Sequence, residues 1–164
     1  MTSSDTTDII DMLIADWRRT RPATRPDAMH VVGRIIRLGR AWEEQVTHLL
    51  RPHGLSYSDF DVLATLYRTD ARHEMSPTRL QRSVLLSSGA MTACLRRLET
   101  SRLIERRSVN DDRRRLTARL TEAGVAMVEA LIDARFSLAD AALSGLDAEE
   151  ITSLTVLLRR LGAS

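Results

Sequence analysis

The sequence predicts a mainly α-helical fold interrupted by one short β-hairpin. Three observations predict it. Apolar residues recur at three- and four-residue steps along most of the chain, and Ser, Thr or Asp stands just ahead of several such runs. One stretch only, Leu103–Leu120, shows short strand-like runs on either side of turn-forming residues.

Element by element, residues 1–7 are small and polar and read as a disordered start. From Asp8 to Arg19, Ile9, Ile10, Leu13, Ile14 and Trp17 form an amphipathic stripe. Pro22 and Pro26 make Thr20–Asp27 a linker. A longer helix follows over about Ala28–Leu50, with Val31, Ile35, Leu38, Trp42, Val46 and Leu49 on one face, and Arg51-Pro52-His53-Gly54 stops it. Ser58 is read as the cap of a helix bearing Phe60, Leu63, Leu66 and Tyr67. Ser76-Pro77 starts a short helix, Pro77–Ser83, after which Leu85-Leu86 opens a tight connection. Ser87 caps the next helix, which runs to about Ser101. The runs at 103–107 and 116–120 then pair across Val109-Asn110-Asp111-Asp112. Thr121 caps a helix bearing Val125, Val128, Ile132, Phe136 (one step off the stripe) and Ala139. Asp147 and Glu150 form a capping box for a last helix with Ile151, Leu154, Leu158 and Leu161 on one face.

This order is a winged helix-turn-helix at 55–121, bracketed by helices at 28–54 and 122–164 and preceded by the 1–27 extension. The bracketing helices carry long apolar stripes that one copy has no second layer to cover, so their expected partner is a second copy, in a homodimer. A chain of 164 residues with 43% hydrophobic and 28% charged residues is an ordinary globular composition. No run approaches the ~18 apolar residues of a membrane span, and the N-terminus has no secretory pattern, so a cytoplasmic protein is expected. The single cysteine, Cys94, excludes an intramolecular disulfide and a cysteine-based zinc cluster. No cofactor is expected. No nucleophile–base pattern, phosphate-binding glycine loop or catalytic carboxylate pair is present, and an enzyme is not expected.

Charge is distributed unevenly. Between Arg96 and Arg119 nine arginines face four acids, whereas the whole chain carries only +2. A basic helix-plus-hairpin stripe in an otherwise slightly acidic protein is the footprint of a double-stranded DNA partner. On a helical wheel Met91, Leu95 and Leu98 face the core. Gly89, Ala93 and Arg96 lie opposite, flanked by Ser87, Ser88, Thr92 and Arg97. Short side chains permit close approach to base edges, hydroxyls and helix N–H groups hold phosphates, and arginine pairs bidentately with guanine. Ser76 and Thr78, opening the preceding helix, join this set. At the hairpin tip, Asp112, Arg113, Arg114 and Arg115 place three adjacent cations whose repulsion phosphates or a narrow minor groove would relieve.

These residues resemble the multiple antibiotic resistance regulator (MarR) family over about residues 30–161. The resemblance rests on Leu86-Ser87-Ser88-Gly89-Ala90-Met91-Thr92, on Leu98-Glu99 followed by Leu103-Ile104-Glu105-Arg106, on Asp112 with Arg114, and on Leu120-Thr121 with Gly124. It implies a homodimer on a pseudo-palindromic operator, with residues 87–101 in the major groove and the wing 103–120, through Arg114, in the minor groove. It also implies a regulator, in the usual case a repressor, released by a small aromatic or anionic effector. Two departures stand out: Ala93-Cys94 where relatives often place Asn-Arg, and Arg115 where a small residue is usual.

Trp42, Phe60 and Tyr67 are candidates to line an effector cleft, although core packing accounts for each equally well. Cys94 falls nearer the core side of its helix than the groove side, which favours packing over redox sensing. His48 with Glu44 offers two metal ligands and no third nearby, so a solvated pair is the reading and no metal is expected. The alternatives to a DNA-binding regulator are a winged-helix interaction or dimerisation module, and a metal or redox sensor with DNA binding as its output.

Overall fold

The computed structural model describes residues 7–84, 86–109 and 112–162; at 108, 109 and 112–115 it describes the backbone alone. The expected disordered start, Thr7 apart, and Leu85 at the tight connection lie outside the described residues. The elements run α1 (Ile9–Thr20), α2 (Met29–Leu50), α3 (Tyr57–Tyr67), β1 (Glu74–Met75), α4 (Pro77–Ser83), α5 (Ser88–Thr100), β2 (Ile104–Val109), β3 (Asp112–Leu120), α6 (Glu122–Ala142) and α7 (Ala148–Gly162). The chain forms two compact units, divided within α2 between Glu44 and Gln45.

In the first unit, Asp8 caps α1 by accepting from the Ile10 and Asp11 N–H groups, and Asp11 returns the bond to the Asp8 N–H at 3.1 Å. Arg34 of α2 donates to both Asp8 carboxylate oxygens at 3.0 Å and pairs with Asp11 at 2.8 Å, pinning the start of α1 to α2. The Arg34 guanidinium holds the Asp11 carboxyl below the ordinary aspartate range. Gly33 packs closely against α1, since a Cβ there would stand 3.1 Å from Ile10 Cδ1. The linker is not wholly irregular: Pro26–Ala28 form one 3-10 turn ahead of α2, with Pro at its start.

The second unit is the winged helix. Leu50, Val62, Leu63, Leu66, Leu80, Leu98 and Val128 are among its fully buried side chains, drawn from α2, α3, α4, α5 and α6. Gly54, in a left-handed conformation (φ 69°), ends the 3-10 turn Arg51–His53 that terminates α2. The expected cap of α3 is corrected. Ser56, not Ser58, is the N-cap: its Oγ accepts from the Asp59 N–H at 3.2 Å and the Asp59 carboxylate accepts from the Ser56 N–H at 3.1 Å. Both serines precede an aspartate by three residues, so the sequence offered two equivalent boxes.

The sheet has order β1-β3-β2, all antiparallel. The hairpin strands are longer than expected, with Val109 opposite Asp112. Strand β1 was not expected at all. It consists of two residues, registered Glu74 to Arg119 and Met75 to Ala118. Its entry is set by His73, left-handed (φ 50°), whose ring stacks on Tyr67 at 5.1 Å and whose carbonyl accepts from the Leu120 N–H. Thr121 joins the wing to α6. Its Oγ1 accepts from the Gly124 N–H at 3.1 Å and donates to the Arg102 carbonyl at 2.7 Å, as its N–H donates to the Leu103 carbonyl. Asp147 and Glu150 form the expected box ahead of α7.

Candidate nucleic-acid interface

The α5 helix divides as the wheel requires. Met91, Cys94, Leu95 and Leu98 are buried, while Ser87, Ser88, Gly89, Thr92, Ala93 and Arg96 are exposed along the opposite side. Ser87 Oγ accepts from the Ala90 N–H at 3.3 Å, which leaves its own hydroxyl proton free to donate. Ser76 Oγ does the same for α4 with the Arg79 N–H at 3.4 Å, and Thr78 is exposed beside it. Thr92 turns its hydroxyl back to the Ser88 carbonyl. At the other end, the Leu103 N–H reaches the Leu98 carbonyl and the Arg102 N–H reaches that of Glu99, a Schellman closure with Arg102 left-handed (φ 58°).

The arginine stripe is only partly available to a partner. Arg97 donates through its NH2 group to Asp59 at 2.7 Å, the carboxylate being 5% exposed. Arg106 of β2 pairs with Glu99 of α5 at 3.2 Å, and Arg107 pairs with Glu105 at 2.7 Å. Arg119 donates to the Arg72 carbonyl. Among the described residues Arg96 has no side-chain partner and points away from the core side. Charge counting weighed all these arginines alike, whereas pairing separates them. The side chains of Asp112, Arg113, Arg114 and Arg115 lie outside the described residues; the backbone carries 112–115 along β3.

Burial works to raise the Asp59 pKa, but hydrogen bonds from Arg97, Ser56 and Cys94 outweigh it and hold the carboxyl below the ordinary aspartate range. Cys94 is fully buried, its Sγ 3.7 Å from the Ser58 carbonyl. Burial first, then the neighbouring Asp59, pushes its thiol up to about 12. A thiol so protonated is a poor nucleophile, which agrees with packing rather than sensing.

A cavity of about 460 Å3 lies between α3 and α6, lined by Phe60, Asp61, Ala64, Tyr67, Arg68, Val128, Ile132, Arg135 and Phe136 among others. Phe60 and Tyr67 of the expected cleft are present. Trp42 is not among the lining residues; it stands 37% exposed on α2. Arg68, Asp61 and Arg135, which sequence reasoning missed, supply the polar lining. Asp61 and Arg68 directly follow Phe60 and Tyr67 in the chain, but their meeting with Arg135 depends on how α3 pairs with α6, which no local signal gave. Burial raises the Asp61 pKa, only partly countered by Arg68 and Arg135. Tyr67 Oη donates to Glu129 at 3.1 Å, tying α3 to α6 at the cavity's edge.

Residues 53–115 match the family model described as MarR family. Over that stretch the chain is similar to the MarR family. It is 28% identical over 149 residues to the HTH-type transcriptional regulator PecS of Dickeya dadantii, covering 91% of this chain and 90% of PecS. Among solved structures, Bordetella bronchiseptica BpsR, studied for regulation of its DNA binding by 6-hydroxynicotinic acid, superposes with a TM-score of 0.75 at 18% identity, covering 86% of this chain and 99% of BpsR. A variant of MarR from E. coli complexed with operator DNA gives 0.70 at 22% identity, covering 94% and 99%. At these identities the two structures establish the shared winged-helix fold, and PecS is named as a transcriptional regulator.

Two further features of α5 and its end bear on this face. Ala93 is exposed and Cys94 is buried, so of the departing pair only Ala93 faces outward. Arg102 holds a left-handed position that favours glycine. Among the described residues no helix is long and apolar enough to cross a membrane, and no cluster of three metal-ligating side chains occurs.

Proposed function

We propose that this protein is a homodimeric, DNA-binding transcriptional regulator acting as a repressor at a pseudo-palindromic operator. The face of α5 bearing Ser87, Ser88, Gly89, Thr92, Ala93 and Arg96 enters the major groove, and the wing tip with Arg114 enters the minor groove. The observation that carries this reading is the division of α5 itself. Its buried side anchors the helix, and the opposite side is short-chained toward the N-terminus and ends in Arg96, unpaired among the described residues. Exposed Val31, Ile35, Leu38 and Trp42 on α2 and Val156, Leu157 and Leu161 on α7 support dimerisation, since apolar stripes of this size seek a partner. The cavity between α3 and α6, apolar with two arginines, suits a small aromatic anion as releasing ligand.

The test is footprinting on the DNA flanking the protein's own coding region, combined with titration at several salt concentrations. A protected inverted repeat with half-sites about 34 Å apart and steep salt dependence is expected. Salt-insensitive binding with no protected repeat would leave a winged-helix docking module as the better reading.

A further inference from the structure

We propose that Asp59 and Arg97 form a positioning lock that seats α5 against α3, so that Arg97 serves DNA binding from behind the interface and does not touch DNA. The inference rests on the DNA-binding reading above and corrects the place that the charge stripe alone gave Arg97. Neighbouring residues on a helix point about 100° apart. Arg97 is thereby drawn back to α3 while Arg96 is offered outward.

The carboxylate of Asp59 is one of the two buried polar side chains among the described residues. It accepts from Arg97 NH2 at 2.7 Å, from Ser56 Oγ at 2.6 Å and from the Ser56 N–H at 3.1 Å. One group therefore caps α3 and tethers α5. Arg97 Nε, at 3.4 Å from the second carboxylate oxygen, completes a two-point fork. Cys94, one turn earlier on α5, seals the contact from beneath with no exposure. Removing either partner leaves a buried charge or an untied helix rather than a lost surface contact. Because a helix moves as a rigid body, a loosened seat displaces every groove-facing residue together.

The test compares D59N, R97Q, R97K and D59N/R97Q with the parent protein. Operator affinity is titrated over a salt series, and labelling of the lone Cys94 by a thiol reagent is timed without DNA. The lock predicts a loss of about tenfold in affinity for D59N and for R97Q. It also predicts no further loss in the double variant, partial recovery with R97K, and an unchanged slope of affinity against salt. R97Q should also speed Cys94 labelling, because α5 opens more readily. A salt slope reduced by about one in R97Q, with D59N unchanged in affinity and labelling, would overturn the lock and make Arg97 a phosphate contact. If the parent protein shows no operator binding, the regulator reading fails by itself, and the labelling rates still decide whether the pair seats α5.

Discussion

Gly124 sits in the first turn of α6, where a side chain has nowhere to go. Its replacement by alanine is the most sharply determined perturbation in the protein. A Cβ at this position would fall closer than 3.0 Å to the Leu103 carbonyl oxygen, 3.1 Å from its carbon and 3.2 Å from Leu120 Cδ2. The carbonyl is backbone and already accepts from the Thr121 N–H at 3.1 Å, so it cannot swing aside as a flexible side chain would. The helical conformation suits alanine, and better helix propensity returns up to about 1 kcal/mol. Overpacking against fixed backbone costs about 1–3 kcal/mol, and a contact this close belongs at the upper end. G124A should therefore lose about 1–2 kcal/mol net, equivalent to a Tm lower by roughly 2–8 °C for a chain of this size. Thermal melts at equal protomer concentration test this, since any dimer makes Tm depend on concentration. An unchanged or raised Tm would refute the argument, because it would mean that the backbone at Leu103, just ahead of β2, yields without cost.

Four other outcomes are expected. Arg96→Ala should relax base preference, while Arg114→Ala should weaken binding to all sequences and flatten its salt dependence; titration against matched and scrambled sites separates the two. Arg102→Gly should raise stability by about 0.5–1 kcal/mol in urea unfolding, by relieving a left-handed arginine at the end of α5. The stability difference between the parent protein and D59N should be full at neutral pH. Because the folded Asp59 pKa is depressed, that difference fades as pH falls from about 4, the unfolded aspartate value, through the folded pKa; a difference independent of pH between 2 and 6, on the order of the measurement range, would contradict it. Asp61→Asn should tighten binding of an aromatic carboxylate to the cavity in calorimetric titration, since it removes a negative charge beside Arg68 and Arg135.

Local signals in the chain carried most of the fold. The caps at Ser76, Ser87, Thr121 and Asp147 are short-range chemistry, and each stands where the residues place it. The wheel of α5 was legible for the same reason: its apolar residues repeat at helical spacing. What escaped was non-local or degenerate. Strand β1 has no strand signature of its own and exists because β3 offers Ala118 and Arg119 as partners. Ser56 and Ser58 are interchangeable on paper, and only packing chose between them. The internal pairing of Arg97 needed the position of Asp59, 38 residues away. The cavity's polar lining likewise depended on how α3 meets α6, which no single helix announces.

A last consequence concerns where this chain has slack. Leu120 ends β3, Thr121 caps, and Glu122 already belongs to α6. One residue thus forms the whole joint, and its backbone and hydroxyl are bonded to Arg102, Leu103 and Gly124. There is no loop here to lengthen. In kinematic terms the wing strand and the helix lining the cavity are joined through a single bonded residue, with no spare chain between them. Variation in length has room instead between α3 and β1 or between α6 and α7, where several residues separate the elements.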